Sequence, residues 1–76
     1  MASLKVKGRI AEILEGGKVL RQDLFREIKS HEELMPMSAR QFDGILREMA
    51  EDGMVRRVLM ENKKKSRVEE YWELNE

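Results

Sequence analysis

The chain has 76 residues, with 15 basic and 15 acidic side chains, one histidine and no cysteine, so it is read as one domain, 1–76, near the lower size limit for independent folding. The composition excludes disulfides, thiolate metal ligation and a histidine-rich metal site. No apolar run reaches the roughly 20 residues of a membrane span, and the start Met1-Ala2-Ser3-Leu4-Lys5 lacks the apolar core of a signal peptide, so a cytoplasmic protein is expected.

Taken in chain order, the first element is a helix with Ser3 as its expected N-cap. Val6, Ile10, Ile13 and Leu14 recur at helical spacing and form one apolar stripe. Gly16-Gly17 stops this helix, because glycine adopts the left-handed conformation beyond a helix end at little cost. Lys18-Val19-Leu20 reads as a short extended stretch. A second helix is predicted from Arg21 to Lys29, with Leu24, Phe25 and Ile28 apolar and Asp23 in the first turn, where a carboxylate suits the helix dipole. Its N-cap position falls on Leu20, and leucine is a poor cap. Residues 30–37 read as a loop, since Pro36 biases Met35 away from helix, and Leu34 and Met35 are expected to fold inward.

The third helix, about 38–52, has the clearest start. Ser38 is the N-cap, Gln41 completes a capping box, and Met37 with Phe42 makes a hydrophobic staple. Phe42, Ile45, Leu46 and Met49 give the i, i+3, i+4, i+7 stripe of an amphipathic helix, which Gly53 ends. After Gly53 the apolar period changes from about 3.6 to 2. Val55–Met60 and Arg67–Leu74 read as two strands joined by a polar turn, Glu61 to Ser66. Trp72 and Leu74 are expected in the core, with Tyr71 facing the other way. The six methionines are expected mainly to fill gaps in the core. An isolated hairpin is marginal, so this one must pack on the helices, and pairing with the Val19 stretch completes a three-stranded sheet.

Zero net charge conceals a segregation. Residues 1–53 sum to −1 (9 basic, 10 acidic), residues 54–68 to +5 (6 basic, 1 acidic) and residues 69–76 to −4 (4 acidic). The basic segment, with Arg56, Arg57, Lys63, Lys64, Lys65 and Arg67, is a candidate phosphate contact; a solvated turn is the plain alternative.

Helix, short strand, helix, helix, strand, turn, strand is the order of a winged helix. Ile10-Ala11-Glu12-Ile13-Leu14-Glu15-Gly16-Gly17 resembles the first helix and glycine stop of winged helix-turn-helix domains. The stretch from Ile45 through Gly53 to Arg57 resembles their recognition-helix end, turning glycine and first wing strand, and Arg67 to Leu74 the returning strand. The family is that of small prokaryotic transcription regulators, and the short length and Lys/Glu-rich surface are similar to minimal regulators encoded by archaeal plasmids and viruses. The resemblance implies an α+β fold: three helices, a C-terminal β-hairpin wing and a short strand between helices 1 and 2. It also implies duplex DNA as the partner, with helix 38–52 in the major groove and the wing, 61–67, on phosphates or the minor groove.

On that reading the outward face of the third helix carries the site. Arg40 and Arg47 suit guanine, Gln41 suits adenine and Ser38 can reach a phosphate. Gly44 sits mid-helix, at a cost of roughly 1 kcal/mol against alanine; close approach to DNA, tight packing against another helix and simple tolerance are equal accounts. Lys63, Lys64, Lys65 and Arg67 supply the wing contacts. Asp43 and Glu48 oppose DNA by charge; the plain alternative is an ordinary amphipathic surface helix on which Arg47 pairs with Asp43 at i, i+4. Arg56 and Arg57 point to opposite faces of their strand, so at most one is expected to meet DNA, and the other meets the Glu69–Glu73 side of the hairpin. His31, among Ser30, Glu32 and Glu33, reads as a solvated loop histidine. No nucleophile motif or glycine-rich loop marks an active site, so no enzyme activity, cofactor or small-molecule ligand is expected. The competing reading is a winged-helix protein–protein interaction module of a larger assembly, favoured by the neutral charge and acidic C-terminus. No element for dimerisation lies outside the domain, so a monomer in isolation is expected.

Overall fold

In the computed structural model, which describes residues 2–30 and 37–75 (for Ala2 and Ser3 the backbone only), α1 runs Ala2–Leu14 and buries Val6, Ile10 and Leu14. Ile13, at the margin of the stripe, is half-buried against the same core. Ser3 already lies inside α1 and is not its N-cap. The helix stops where Gly17 takes φ 120°, a conformation open to glycine and strained for other residues. The strand β1, Val19–Leu20, leads directly into α2, Arg21–Lys29, which buries Leu24 and Ile28. Leu20 makes no side-chain cap, as its chemistry requires. The expected inward fold of Leu34 and Met35 and the solvated His31 lie outside the described residues.

The third helix, α3, spans Ala39–Glu51 and buries Phe42, Leu46 and Met49. Both capping-box hydrogen bonds form. Gln41 N donates to Ser38 Oγ at 3.1 Å and Ser38 N donates to Gln41 Oε1 at 2.9 Å. Met37, just before the cap, packs against the core that contains Phe42, the arrangement a hydrophobic staple needs. The Phe25 and Phe42 rings lie 5.0 Å apart, so α2 and α3 meet through an aromatic pair. Gly53 takes φ 77° and turns the chain into β2.

The strand β2 spans Val55–Asn62 and β3 spans Arg67–Leu74; with β1 they form an antiparallel sheet in the order β1-β3-β2. β2 continues through Glu61 and Asn62, which sequence reading assigned to the turn, because both pair with β3, opposite Val68 and Arg67. The turn is therefore residues 63–66. Directly opposed residues of antiparallel strands share a face. Val55, Arg57, Leu59 and Glu61 share one with Leu74, Trp72, Glu70 and Val68; Arg56, Val58, Met60 and Asn62 share the other with Glu73, Tyr71, Glu69 and Arg67.

The first face meets the helices. Val55 and Trp72, 7% exposed, complete a core with Val6, Ile10, Leu14, Leu24, Ile28, Phe42, Leu46 and Met49, and each such side chain contributes about 1.5–3 kcal/mol on full burial. Leu74 is half-buried beside it. The indole Nε1 of Trp72 donates to Glu70 Oε2 at 2.7 Å, so the buried ring keeps its polar atom satisfied. Of the described methionines only Met49 is fully buried. Met37 is half-buried, and Met54, just before β2, and Met60, within it, are exposed. Among the described residues the molecule is thus a small α+β fold of three helices and a three-stranded antiparallel sheet, and no helix there is long and apolar enough to cross a membrane.

Candidate nucleic-acid interface

Burial of Phe42, Leu46 and Met49 leaves Arg40, Gln41, Asp43, Gly44, Arg47, Glu48 and Glu51 on the exposed side of α3. The capping box occupies one acceptor of Gln41 and one of Ser38. It leaves the Gln41 amide hydrogens and the Ser38 hydroxyl proton free to donate outward. A Cβ built on Gly44 meets nothing within 4 Å, which removes tight packing as the reason for this glycine.

Of the three exposed carboxylates of α3, Asp43 and Glu48 are engaged within the fold. Asp43 accepts two hydrogen bonds from Arg21, at 2.7 Å from Nε to Oδ1 and 2.8 Å from Nη2 to Oδ2. This fork geometry is the strongest form of a charge-assisted pair. A plain surface helix would pair Asp43 with Arg47, one turn along the same helix. Arg21, at the start of α2, replaces it because the helix crossing brings a planar guanidinium edge-on to the carboxylate. Hydrogen bonding to Asp43 raises the Arg21 pKa from its ordinary value, burial opposes the rise, and the charges of Asp43 and Glu70 add to it. A raised arginine loses its contribution only at strongly alkaline pH, so around neutrality this pair does not titrate from the arginine side. Glu48 lies 3.7 Å from Lys7 of α1. Arg40, Arg47 and Glu51 form no ion pair among the described residues, so the outward face of α3 presents two unpaired cations and one unpaired carboxylate.

The turn 63–66 is closed by Ser66 at φ 51° and by Lys65 N donating to Asn62 Oδ1 at 3.2 Å. This geometry leaves Lys63, Lys64 and Lys65 exposed, and none forms an ion pair among the described residues. Arg67 stands apart from them at the start of β3, with Nη2 3.8 Å from Glu69 Oε2. Arg56 turns to the outer face and donates to Glu73 Oε1 at 2.7 Å, as its opposition to Glu73 dictates. Arg57 takes the inner face and lines a groove of about 430 Å³ between α3 and the sheet, with Arg21, Asp43, Arg47, Ala50, Glu70 and Trp72.

The structure therefore brings Arg47 together with Arg21 and Arg57 beside the sheet. It leaves Arg40, Gln41 and Ser38 at the N-terminal end of α3 and carries the lysines away on the turn. Arg21 has no local signal in the sequence, since its partner lies 22 residues away. Arg57 was legible to a reader who carried the two-residue period forward from buried Val55. Among the described residues no group of three or more His, Cys, Asp or Glu side chains is placed to hold a metal ion. No protein-family model, curated protein or solved structure matches the chain.

Proposed function

We propose that this chain is a winged-helix domain that binds double-stranded DNA and regulates transcription. On this reading α3 enters the major groove, with Arg40, Gln41 and Arg47 toward base edges and Ser38 at a phosphate. The hairpin is the wing. Lys63, Lys64 and Lys65 meet the phosphate backbone, and Arg67 reaches it or the minor groove from the base of the turn.

The observation that carries the reading is the division of charge. Of the exposed carboxylates of α3, Asp43 and Glu48 are partnered by Arg21 and Lys7, and Glu51 in the last turn keeps its charge unpaired among the described residues. Arg40, Arg47 and the three turn lysines keep their charge for an external partner. Cations held apart on a helix face and a hairpin tip match a ligand with two rows of phosphates and a groove between them.

Fluorescence anisotropy of labelled duplex DNA across a salt series tests this. For Lys63→Ala/Lys64→Ala/Lys65→Ala, binding weakens on all sequences and the slope of log K against log salt flattens by about 2.7, at about 0.9 for each of three phosphate contacts. For Arg47→Ala, sequence preference is lost while the salt slope changes by no more than about one contact. Absence of binding to random or genomic duplex at low salt overturns the proposal and directs the search to a protein partner.

A further inference from the structure

The edge strand β2 carries a pattern that its own sheet does not use. Among the described residues it pairs with one strand, β3, and no strand pairs its other edge over Val55–Asn62. Exposed edges invite further pairing, and proteins usually blunt them with charged side chains, lysine above all, with proline or with a bulge; the charges of β2 are Arg56, Arg57 and Glu61, of both signs. β2 contains neither lysine nor proline and pairs without interruption from Val55 to Asn62; the lysines begin only at 63, beyond its end. Leu59 is 56% exposed and Met60 40% exposed on this strand, and Val68, 62% exposed, lies beside Leu59 on the inner face. These three large apolar side chains are gathered on the hairpin, away from the core.

The residues Arg57-Val58-Leu59-Met60-Glu61 read as a cation, three apolar residues and an anion. Two antiparallel copies of such a segment are complementary when a two-fold axis passes between the Leu59 residues. Leu59 then faces Leu59, Val58 faces Met60 twice, and Arg57 faces Glu61 twice. Cross-strand apolar and opposite-charge pairs of this kind each favour the ladder. Neighbouring registers fail. Centring on Val58 sets Arg57 against Leu59 and Arg56 against Met60; centring on Met60 sets Arg57 against Lys63; centring on Arg57 opposes two arginines. Arg56 and Asn62, at the ends of the matched stretch, are already satisfied by Glu73 and Glu69 within the chain.

We infer that β2 is an interface for a second copy of this chain, paired edge to edge in the Leu59-centred register to give a six-stranded antiparallel sheet. The occupant is fixed by charge complementarity, which a second β2 supplies in full. The two-fold axis is perpendicular to the sheet, so both copies of α3 lie on the same side of it. One strand pair is a small interface, so the dimer dissociates on dilution and the dilute chain is the monomer that sequence reading expects. The inference does not depend on DNA binding.

Sedimentation equilibrium without DNA tests it, with thermal melting by circular dichroism to confirm that each variant is folded. The weight-average mass of the wild type rises with concentration toward twice that of one chain. Arg57→Glu and Glu61→Arg each remain monomeric at every concentration, because each sets like charges across the axis. An equimolar mixture of the two variants associates one to one, since each then supplies the charge the other lacks. A wild type that stays monomeric at the highest soluble concentration overturns the inference. So does a dimer unaffected by the single changes, or a mixture that fails to associate. Loss of DNA binding in the anisotropy experiment leaves all these outcomes unchanged.

Discussion

Arg21 is the residue on which the electrostatics of α3 turn. Its fork on Asp43 joins the start of α2 to the exposed side of α3 and removes a carboxylate from the field an approaching anion meets. Both partners retain some exposure, with side-chain values of 28% and 49%, so the pair adds only about 0.5–1 kcal/mol to stability. The expected result for Arg21→Ala is therefore a small loss in a denaturant titration and a larger loss of DNA affinity, because Asp43 is released. Adding Asp43→Asn to Arg21→Ala restores part of the affinity and none of the stability; affinity that stays low in the double variant assigns Arg21 a direct contact instead. Gly44 separates in the same way. With open space around its Cβ position, Gly44→Ala raises stability by about 1 kcal/mol through helix propensity. Gly8→Ala in α1, also in open space, gives a similar gain. If the backbone of α3 approaches DNA at Gly44, only the Gly44 variant loses binding in a filter or anisotropy titration.

Among the elements, α3 is the one whose local sequence and tertiary role agree most fully. Its capping box closes in both directions, and its apolar stripe is the buried one. Ser38→Ala removes the acceptor for Gln41 N and is expected to cost about 1 kcal/mol, a fall of about 4–8 °C in Tm for a chain of this size. Ser38→Asp keeps a capping oxygen, so Tm holds, but it places a negative charge where a phosphate is proposed. Weakened DNA binding at unchanged Tm supports the phosphate contact, and unchanged binding removes Ser38 from the interface. The hairpin is less local. Its strands were legible from alternation around Val55 and Trp72, whereas its turn began two residues later than composition suggested. Polar Glu61 and Asn62 look like turn residues, but opposition to Val68 and Arg67 keeps them in the ladder.

At the scale of the molecule, one core takes residues from all three helices and from β2 and β3. A 76-residue chain has a total stability of roughly 4–11 kcal/mol, at about 0.05–0.15 kcal/mol per residue. Removing one central side chain consumes much of that. Leu46→Ala is expected to cost about 2–5 kcal/mol through lost burial and the cavity left behind, which a melting curve reads as a large fall in Tm or as a chain unfolded at 37 °C. Full retention of Tm would mean that the core relaxes into the space.

The sequence by itself determined the elements and their inward faces. Helical period, glycine stops, the capping box and strand alternation are set by contacts among near neighbours, and the apolar positions follow from them. It also announced the exposed lysines, because charge on a short polar turn has nowhere to be buried. The partners of the charged residues were decided by the tertiary structure. Asp43 found Arg21 rather than Arg47, Glu48 came beside Lys7, and Arg57 turned inward beside Trp72 while Arg56 met Glu73. An ion pair is fixed by helix crossings and strand register, which bring together residues far apart in the chain. Local periodicity carries no information about which of several equally charged side chains will arrive within 3–4 Å.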